Sequence, residues 1–232
     1  MWFDSENYKN FIDEKLINDR FLEIKRLREN SKRIATQKLA DIFYSFGEVR
    51  HKETDSIIIP ATSSERREYI PMGFLDSDTI ISNSAMAVYN ATPWLFGILH
   101  SKMHMVWVDA VGGKLETRYR YSAKLCYNTF PFPDISEKQK LTINEYVFAI
   151  LDERAKYTEK TMAWLYNPET MPKELKQAHQ NLDRAIEEIY RMGNPFTSDA
   201  ERLEHLFKRY DEMTKKDTLF AKQKKTRKKT KI

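Results

Sequence analysis

Cysteine is nearly absent. The 232 residues contain one, Cys126, which excludes an internal disulfide and any multi-cysteine metal site. A reducing, cytoplasmic setting is the expectation. Long hydrophobic runs are absent too: no stretch approaches the roughly 18 apolar residues that span a membrane, and the opening "MWFDSENYKN" has no apolar signal core. Neither membrane association nor secretion is expected. Glycine is scarce at six, and none falls in a GxGxxG or Walker pattern, which removes the usual backbone cradle for nucleotide phosphates. The histidines give no zincin signature. His100 and His104 stand four apart without an accompanying Glu in an apolar segment, and they read as core residues. Asp13, Glu23 and Lys25 mimic a nuclease's acid…Glu-x-Lys spacing, in a charge-rich helix where such matches arise by chance. No catalytic residue, metal ligand or cofactor is assigned to this chain, and a self-contained nuclease is set aside.

What is present is charge, at 31% of residues with a net of +5. The last twelve residues, "AKQKKTRKKTKI", hold seven Lys or Arg and no acid, so the rest of the chain is about −2. The overall basicity therefore says little about a nucleic-acid surface. The tail either holds phosphates non-specifically or is a disordered solubilising end.

Residues 8 to 29 set Phe11, Ile12, Leu16, Leu22 and Leu27 among many charges, predicting an exposed helix. The texture then changes to short β-branched or aromatic runs broken by Pro, Gly, Asn and Ser: "SIIIPATSS", "YIPMGF", "TIISNSAMAVYNA" and "KLETRYRY". Between them, Leu95, Ile98, Leu99, Met103, Val106 and Ala110 recur at helical spacing after Pro93, with Gly112 at a plausible helix end. A hairpin turning at Gly112 and Gly113 is the alternative. Trp94 and Trp107 read as core. After Pro131 and Pro133 come three helical patterns: one opened by a Ser136/Gln139 capping box, one starting at Pro172, and one opened by Ser198 and Glu201. The fold class is α+β: a mixed α/β region at 1–133, a small helical domain at 134–214, and a basic, disordered tail at 215–232.

The stretch "GGKLETRYRYS", 112–122, is the most informative. Read as one strand, it puts Glu116, Arg118 and Arg120 on one face and Leu115, Thr117, Tyr119 and Tyr121 on the other. Such a face either carries surface ion pairs or reads bases.

Several segments, in order from about residue 20 to 212, resemble the C-terminal half of the MmeI-like restriction–modification enzymes (Type IIL, a branch of Type IIG): "SKRIATQKLAD", "FGEVR", "IIIPATSSERREYIPMGF", "SNSAMAVYNATPWLFGILHSKMHMVWVDAVGGKLETRYRYS", "YNTFPFP" and "YNPETMPKELKQAHQNLDRAI". In that family one chain joins a nuclease domain, an adenine-specific DNA methyltransferase domain, a target recognition domain and a short helical C-terminal domain. The methyltransferase's Gly-rich S-adenosylmethionine motif and its Asn-Pro-Pro-Tyr motif do not occur here; "NPET" and "NPFT" do not substitute. The resemblance thus implies a target recognition domain plus helical domain, as a fragment or a separately encoded subunit. Double-stranded DNA would be its ligand, and a methyltransferase domain in cis or trans its partner, S-adenosylmethionine being bound there. It also implies that Glu116, Arg118 and Arg120 read bases, with Ser84 in the Asn83-Ser84-Ala85 turn close to them. From residue type alone, the hydroxyl and guanidinium donors of Ser63, Ser64, Arg66 and Arg67 in "SSERREYIP" suit phosphate or base contacts, or else one of the arginines is structural and pairs with Glu65, Glu68 or another carboxylate. A different class of reading is an assembly module whose helical region docks a partner protein.

Overall fold

The computed structural model describes residues 3–229, with side chains as far as Lys215. Two compact units divide at His51 and Lys52.

In the first, a 3-10 turn at Tyr8–Phe11 and helix α1 (Lys15–Glu29) replace the single helix expected from residue 8, because Glu14 is extended at φ −77° and ψ 101°. A short α2 (Ile34–Gln37) follows. Phe21 is buried, with Phe3, Tyr8 and Phe43 edge-on to it. Arg28 ties the unit by donating to the carbonyls of Leu39, Ile42 and Ser45, each at 2.8 Å.

The second unit opens on the predicted strands. β1 (Ser56–Pro60) and β2 (Thr62–Ser63) are separated by Ala61 alone. β3 (Gly73–Leu75) and β4 (Ala85–Tyr89) flank β1 antiparallel in one sheet, ordered β3-β1-β4. Ile57 and Ile59 lie fully buried on its inner face.

The apolar segment after Thr92 forms two helices where one was expected: α3 (Pro93–Leu99) and α4 (Lys102–Val111). Ser101 breaks them. Its hydroxyl donates to the Ile98 carbonyl at 2.7 Å and accepts from the His104 amide, closing one helix and opening the next. Gly112 ends α4 at φ −68°, so it is not the left-handed residue expected there. Glycine is needed for space: a Cβ would meet the Val108 carbonyl oxygen at 2.4 Å and Cys126 Sγ at 3.3 Å.

Beyond Pro133 the helical expectations hold. α5 (Glu137–Ala155) starts with the full Ser136/Gln139 capping box, and α7 (Lys173–Tyr190) starts after Pro172. α8 is Asp199–Lys229. At its start the Glu201 amide donates to Ser198 Oγ, but the Glu201 carboxylate turns to Thr197 and Arg191, leaving the expected box half made. A short α6 (Met162–Leu165), capped by Thr161, was not foreseen. Among the described residues no strand follows Arg120. The disordered tail expected at 215–232 overlaps α8, whose backbone runs to Lys229, and residues 230–232 lie outside the described residues.

Within the second unit the buried interior of the described residues is continuous across Pro131 and Pro133. Ile57, Phe96, Trp107, Ile143, Leu182 and Leu206 belong to one buried cluster, so the boundary expected at 133/134 crosses a continuous interior. Trp107 is core, as expected, and Trp94 is partly buried against it. α3 crosses α5 at Gly97, where a Cβ would lie 2.6 Å from Ile143 Cγ2 and 3.0 Å from Val147 Cγ2. Those γ-methyls sit on stiff β-branched side chains and cannot swing clear. Gly97→Ala should therefore destabilise the protein by about 1–2 kcal/mol, overpacking outweighing alanine's gain of ~1 kcal/mol in helix propensity. A urea midpoint at or above the wild-type value would refute the close crossing.

Candidate nucleic-acid interface

The segment 113–120 is a hairpin, which corrects the single-strand reading. β5 (Gly113–Leu115) and β6 (Arg118–Arg120) pair antiparallel with Leu115 opposite Arg118 and Gly113 opposite Arg120. Glu116 and Thr117 are the two turn residues, and Glu116 takes φ +58°, the sign required at the first central position of a II′ turn. The alternation expected from 112 to 122 is thereby broken at Glu116. Arg118 and Arg120 still share a face, now with Leu115 and Gly113, while Lys114 and Tyr119 share the other. There the Lys114 ammonium lies 4.1 Å from the Tyr119 ring centre and pairs with Asp109 at 2.6 Å. Burial pushes the Tyr119 phenol up, with the Asp109 and Glu65 carboxylates adding to it.

At the tip Arg118 Nη2 donates to Glu116 Oε2 at 2.6 Å, with the two side chains 47% and 75% exposed. A pair so exposed adds little stability and opens readily to a ligand. The guanidinium of Arg120, also exposed, has no hydrogen-bonding or ionic partner among the described residues.

Backbone bonds bring the other candidates to this ribbon. β2 continues the sheet beside β6, with Thr62 opposite Arg120 and Ser63 opposite Tyr119. Ala61 is the junction: its amide donates to the Ser84 carbonyl at 3.0 Å, and its carbonyl accepts from the Tyr121 amide at 2.9 Å. Ser84 is exposed just before β4, its hydroxyl 2.6 Å from that of Ser82. Thr62 is exposed on the Arg120 face, and sequence reasoning passed over it; the alternation in "PATSS" was the available signal.

The "SSERRE" loop is engaged with the protein itself, as the structural alternative for its arginines has it. Ser63 is only 3% exposed and its hydroxyl accepts from Arg67 Nη1 at 3.3 Å, so it faces inward. Ser64 shapes the turn, accepting from the Arg66 amide with its hydroxyl and from the Arg67 amide with its carbonyl. Arg66 is exposed and ion-paired with Glu169. The ribbon and the Ser84 turn thus converge, whereas the loop is held from the helical side.

His100 and His104 are interior. His104 Nε2 lies 3.0 Å from the Tyr121 hydroxyl and His100 Nδ1 lies 3.2 Å from Arg154 Nη2. Burial depresses both imidazoles, His104 to about 3. Both are therefore neutral at physiological pH.

Glu116 in the left-handed region is unusual for a residue with a side chain. Glu116→Gly should stabilise the protein by about 1 kcal/mol, the relief of left-handed strain exceeding the added chain entropy. A lower melting temperature would remove the strain argument.

The family described as "MmeI, target recognition domain" matches residues 1–134, and "MmeI, C-terminal domain" matches 135–218. DNA methyltransferase A of Bacillus subtilis (strain 168) is 47% identical over 216 residues, covering 93% of this chain and 24% of that protein. The solved structure of the Type IIL restriction–modification enzyme MmeI in complex with DNA superposes with a TM-score of 0.86 at 40% identity, over 92% of this chain and 28% of that one. The chain spans about a quarter of the length of each relative. With both family descriptions matched in order across the hairpin, the junction and the helices, this chain belongs to the MmeI family, as its target recognition domain followed by its C-terminal domain.

Proposed function

We propose that this chain is the sequence-reading portion of an adenine-specific DNA methyltransferase of the restriction–modification class, and that the β5–β6 ribbon enters the major groove of its target. The observation that carries this is the ribbon's outer face: a preassembled Glu116–Arg118 pair at the tip and an unengaged Arg120 behind it, beside Thr62. A two-stranded ribbon fits the major groove. Glu116 accepts from a cytosine amine while Arg118 donates to O6 and N7 of the paired guanine, and their 2.6 Å separation suits two groups meeting one base pair. Arg120 reads a neighbouring pair, with Ser84 close enough in the framework to contribute. Arg67 and Arg66 position the backbone through phosphates. The names of the relatives support this role, one being a DNA methyltransferase and another a restriction–modification enzyme in complex with DNA.

Methyl transfer then belongs to a methyltransferase domain, in cis or in trans, which binds S-adenosylmethionine and takes the target adenine out of the stack. This chain's part is to bind and orient the duplex.

The test is titration of the chain with a randomised duplex pool across salt concentrations, followed by sequencing of the retained fraction. A steep negative salt slope with enrichment of a defined site is the expected result. A flat slope with no enrichment, together with capture of a protein partner without DNA, would transfer the function to the assembly module.

A further inference from the structure

The loop 63–68 is not held by its own hydrogen bonds alone. Three groups on the helical side of the chain reach it or its next residue. Glu169, just after α6, pairs with Arg66. Lys176 of α7 pairs with Glu68 at 2.8 Å. Asp183 of α7 accepts from the Tyr69 hydroxyl on Oδ2 at 2.6 Å. The first two pairs are exposed and contribute little. The third is interior, with Tyr69 1% and Asp183 9% exposed. The other oxygen of that carboxylate is engaged as well. Oδ1 accepts from the Lys102 amide at 2.6 Å, at the first residue of α4, the helix that runs into the ribbon. One buried carboxylate therefore joins the end of the loop to the start of the helix that leads to the hairpin.

We propose that Asp183 is a positioning residue for DNA recognition, fixing the loop that carries Arg66 and Arg67 relative to the β5–β6 ribbon. This rests on the sequence-reading function above and assigns the C-terminal domain a part in it: the helices shape the reading surface from behind.

Both carboxylate oxygens are needed as acceptors, and the ionised group supplies them. The groups facing it are Tyr69 from the loop, Lys102 from α4, and Glu187 on its own helix, itself paired with Arg202 of α8. His179, stacked on Tyr69 at 4.3 Å, is held neutral by burial. Burial pushes Asp183 up to about 7 against the Tyr69 and Lys102 hydrogen bonds, and Glu187 adds to the rise. A folded-state value above the unfolded one makes this group's contribution to global stability greatest below about pH 4 and progressively lost as pH rises through about 7. The clamp runs the other way, tightening as the carboxylate ionises. A group that served only to stabilise the fold would not separate these two trends.

The experiment uses the full chain as wild type, Asp183→Asn and Tyr69→Phe, and the double variant. Amide hydrogen exchange of residues 63–70, corrected for intrinsic rates, is compared at pH 5.5 and pH 8 with thermal unfolding and with binding to the enriched duplex. In wild type, loop protection should rise about tenfold toward pH 8 while melting temperature falls. Both single variants should abolish the rise in protection and weaken duplex binding about tenfold at pH 8. The double variant should be no worse than either single. Tyr69→Phe removes only a hydroxyl, so it decides the matter if Asp183→Asn folds poorly. Loop exchange and binding unchanged in both singles would overturn the clamp, even with DNA recognition intact. A responsive loop in a wild-type chain indifferent to DNA would instead overturn the recognition role and leave the clamp structural.

Discussion

Replacing Arg118 by alanine should relax the recognised sequence at one base pair by about five- to hundredfold, leaving the remaining positions as they were. The range follows from the roughly 1–3 kcal/mol that a bidentate arginine–guanine contact contributes to discrimination. Because Glu116 would still favour a cytosine amine, the residual preference should be C·G, only weaker. Exchanging the charges, Glu116→Lys with Arg118→Asp, should move the preference toward G·C. The lysine then faces the guanine side and the aspartate the cytosine side. Arg67→Ala should behave differently. A phosphate contact carries no sequence information, so its loss weakens all duplexes alike and flattens the salt slope by about one. Sequencing of methylated sites in the enzyme reassembled with each variant reads all three. An Arg118→Ala protein with an unaltered site and merely lower affinity would end base reading by this ribbon and leave Glu116 and Arg118 as a surface ion pair.

The second large effect is expected in the interior. Arg154 on α5 has no carboxylate partner among the described residues; it donates to the Met72 carbonyl at 2.9 Å and to the Tyr166 hydroxyl through Nε at 2.7 Å, and it meets His100 Nδ1 at 3.2 Å. Its guanidinium also lies over the Phe96 and Tyr166 rings at 5.4 and 4.9 Å. Arg154→Met keeps most of the stem volume but leaves the Met72 carbonyl and His100 Nδ1 unpaired. Tyr166 keeps His179 at 2.8 Å. Two stranded polar groups at roughly 1–3 kcal/mol each put the loss at about 2–6 kcal/mol, read from denaturant unfolding. A loss under about 0.5 kcal/mol would mean that water replaces the guanidinium there.

Some of this was legible in the sequence, and the division follows the range of the interaction. The Ser136/Gln139 box, the Pro172 start and the strand runs around Ile57 and Val88 are set by neighbours within a few residues, and they appear where expected. The tip of the hairpin was not legible. A II′ turn usually announces itself with glycine at its first central position, and here a glutamate occupies it. The glycines that are present misled, since Gly112 answers to the crowding of Val108 and Cys126. In the loop, Ser63 and Arg66 have the composition of free DNA contacts. The residues that engage them or their neighbours, Glu169, Lys176 and Asp183, lie about a hundred positions away. Nothing within the loop itself encodes them.

That separation also has a cost in time. Tyr69 and Asp183 are 114 residues apart in the chain. At roughly 5–20 residues added per second, about 6 to 23 s pass between synthesis of the hydroxyl and of its acceptor. Within that interval the remaining strands, the hairpin and α3 to α6 are made, yet α7 and α8, which complete their interior, are still missing or unfinished, and the closure of so long a loop comes late in folding. A nascent chain halted before α7 should therefore carry an exposed apolar sheet and be a substrate for chaperones, while one released after α8 should not.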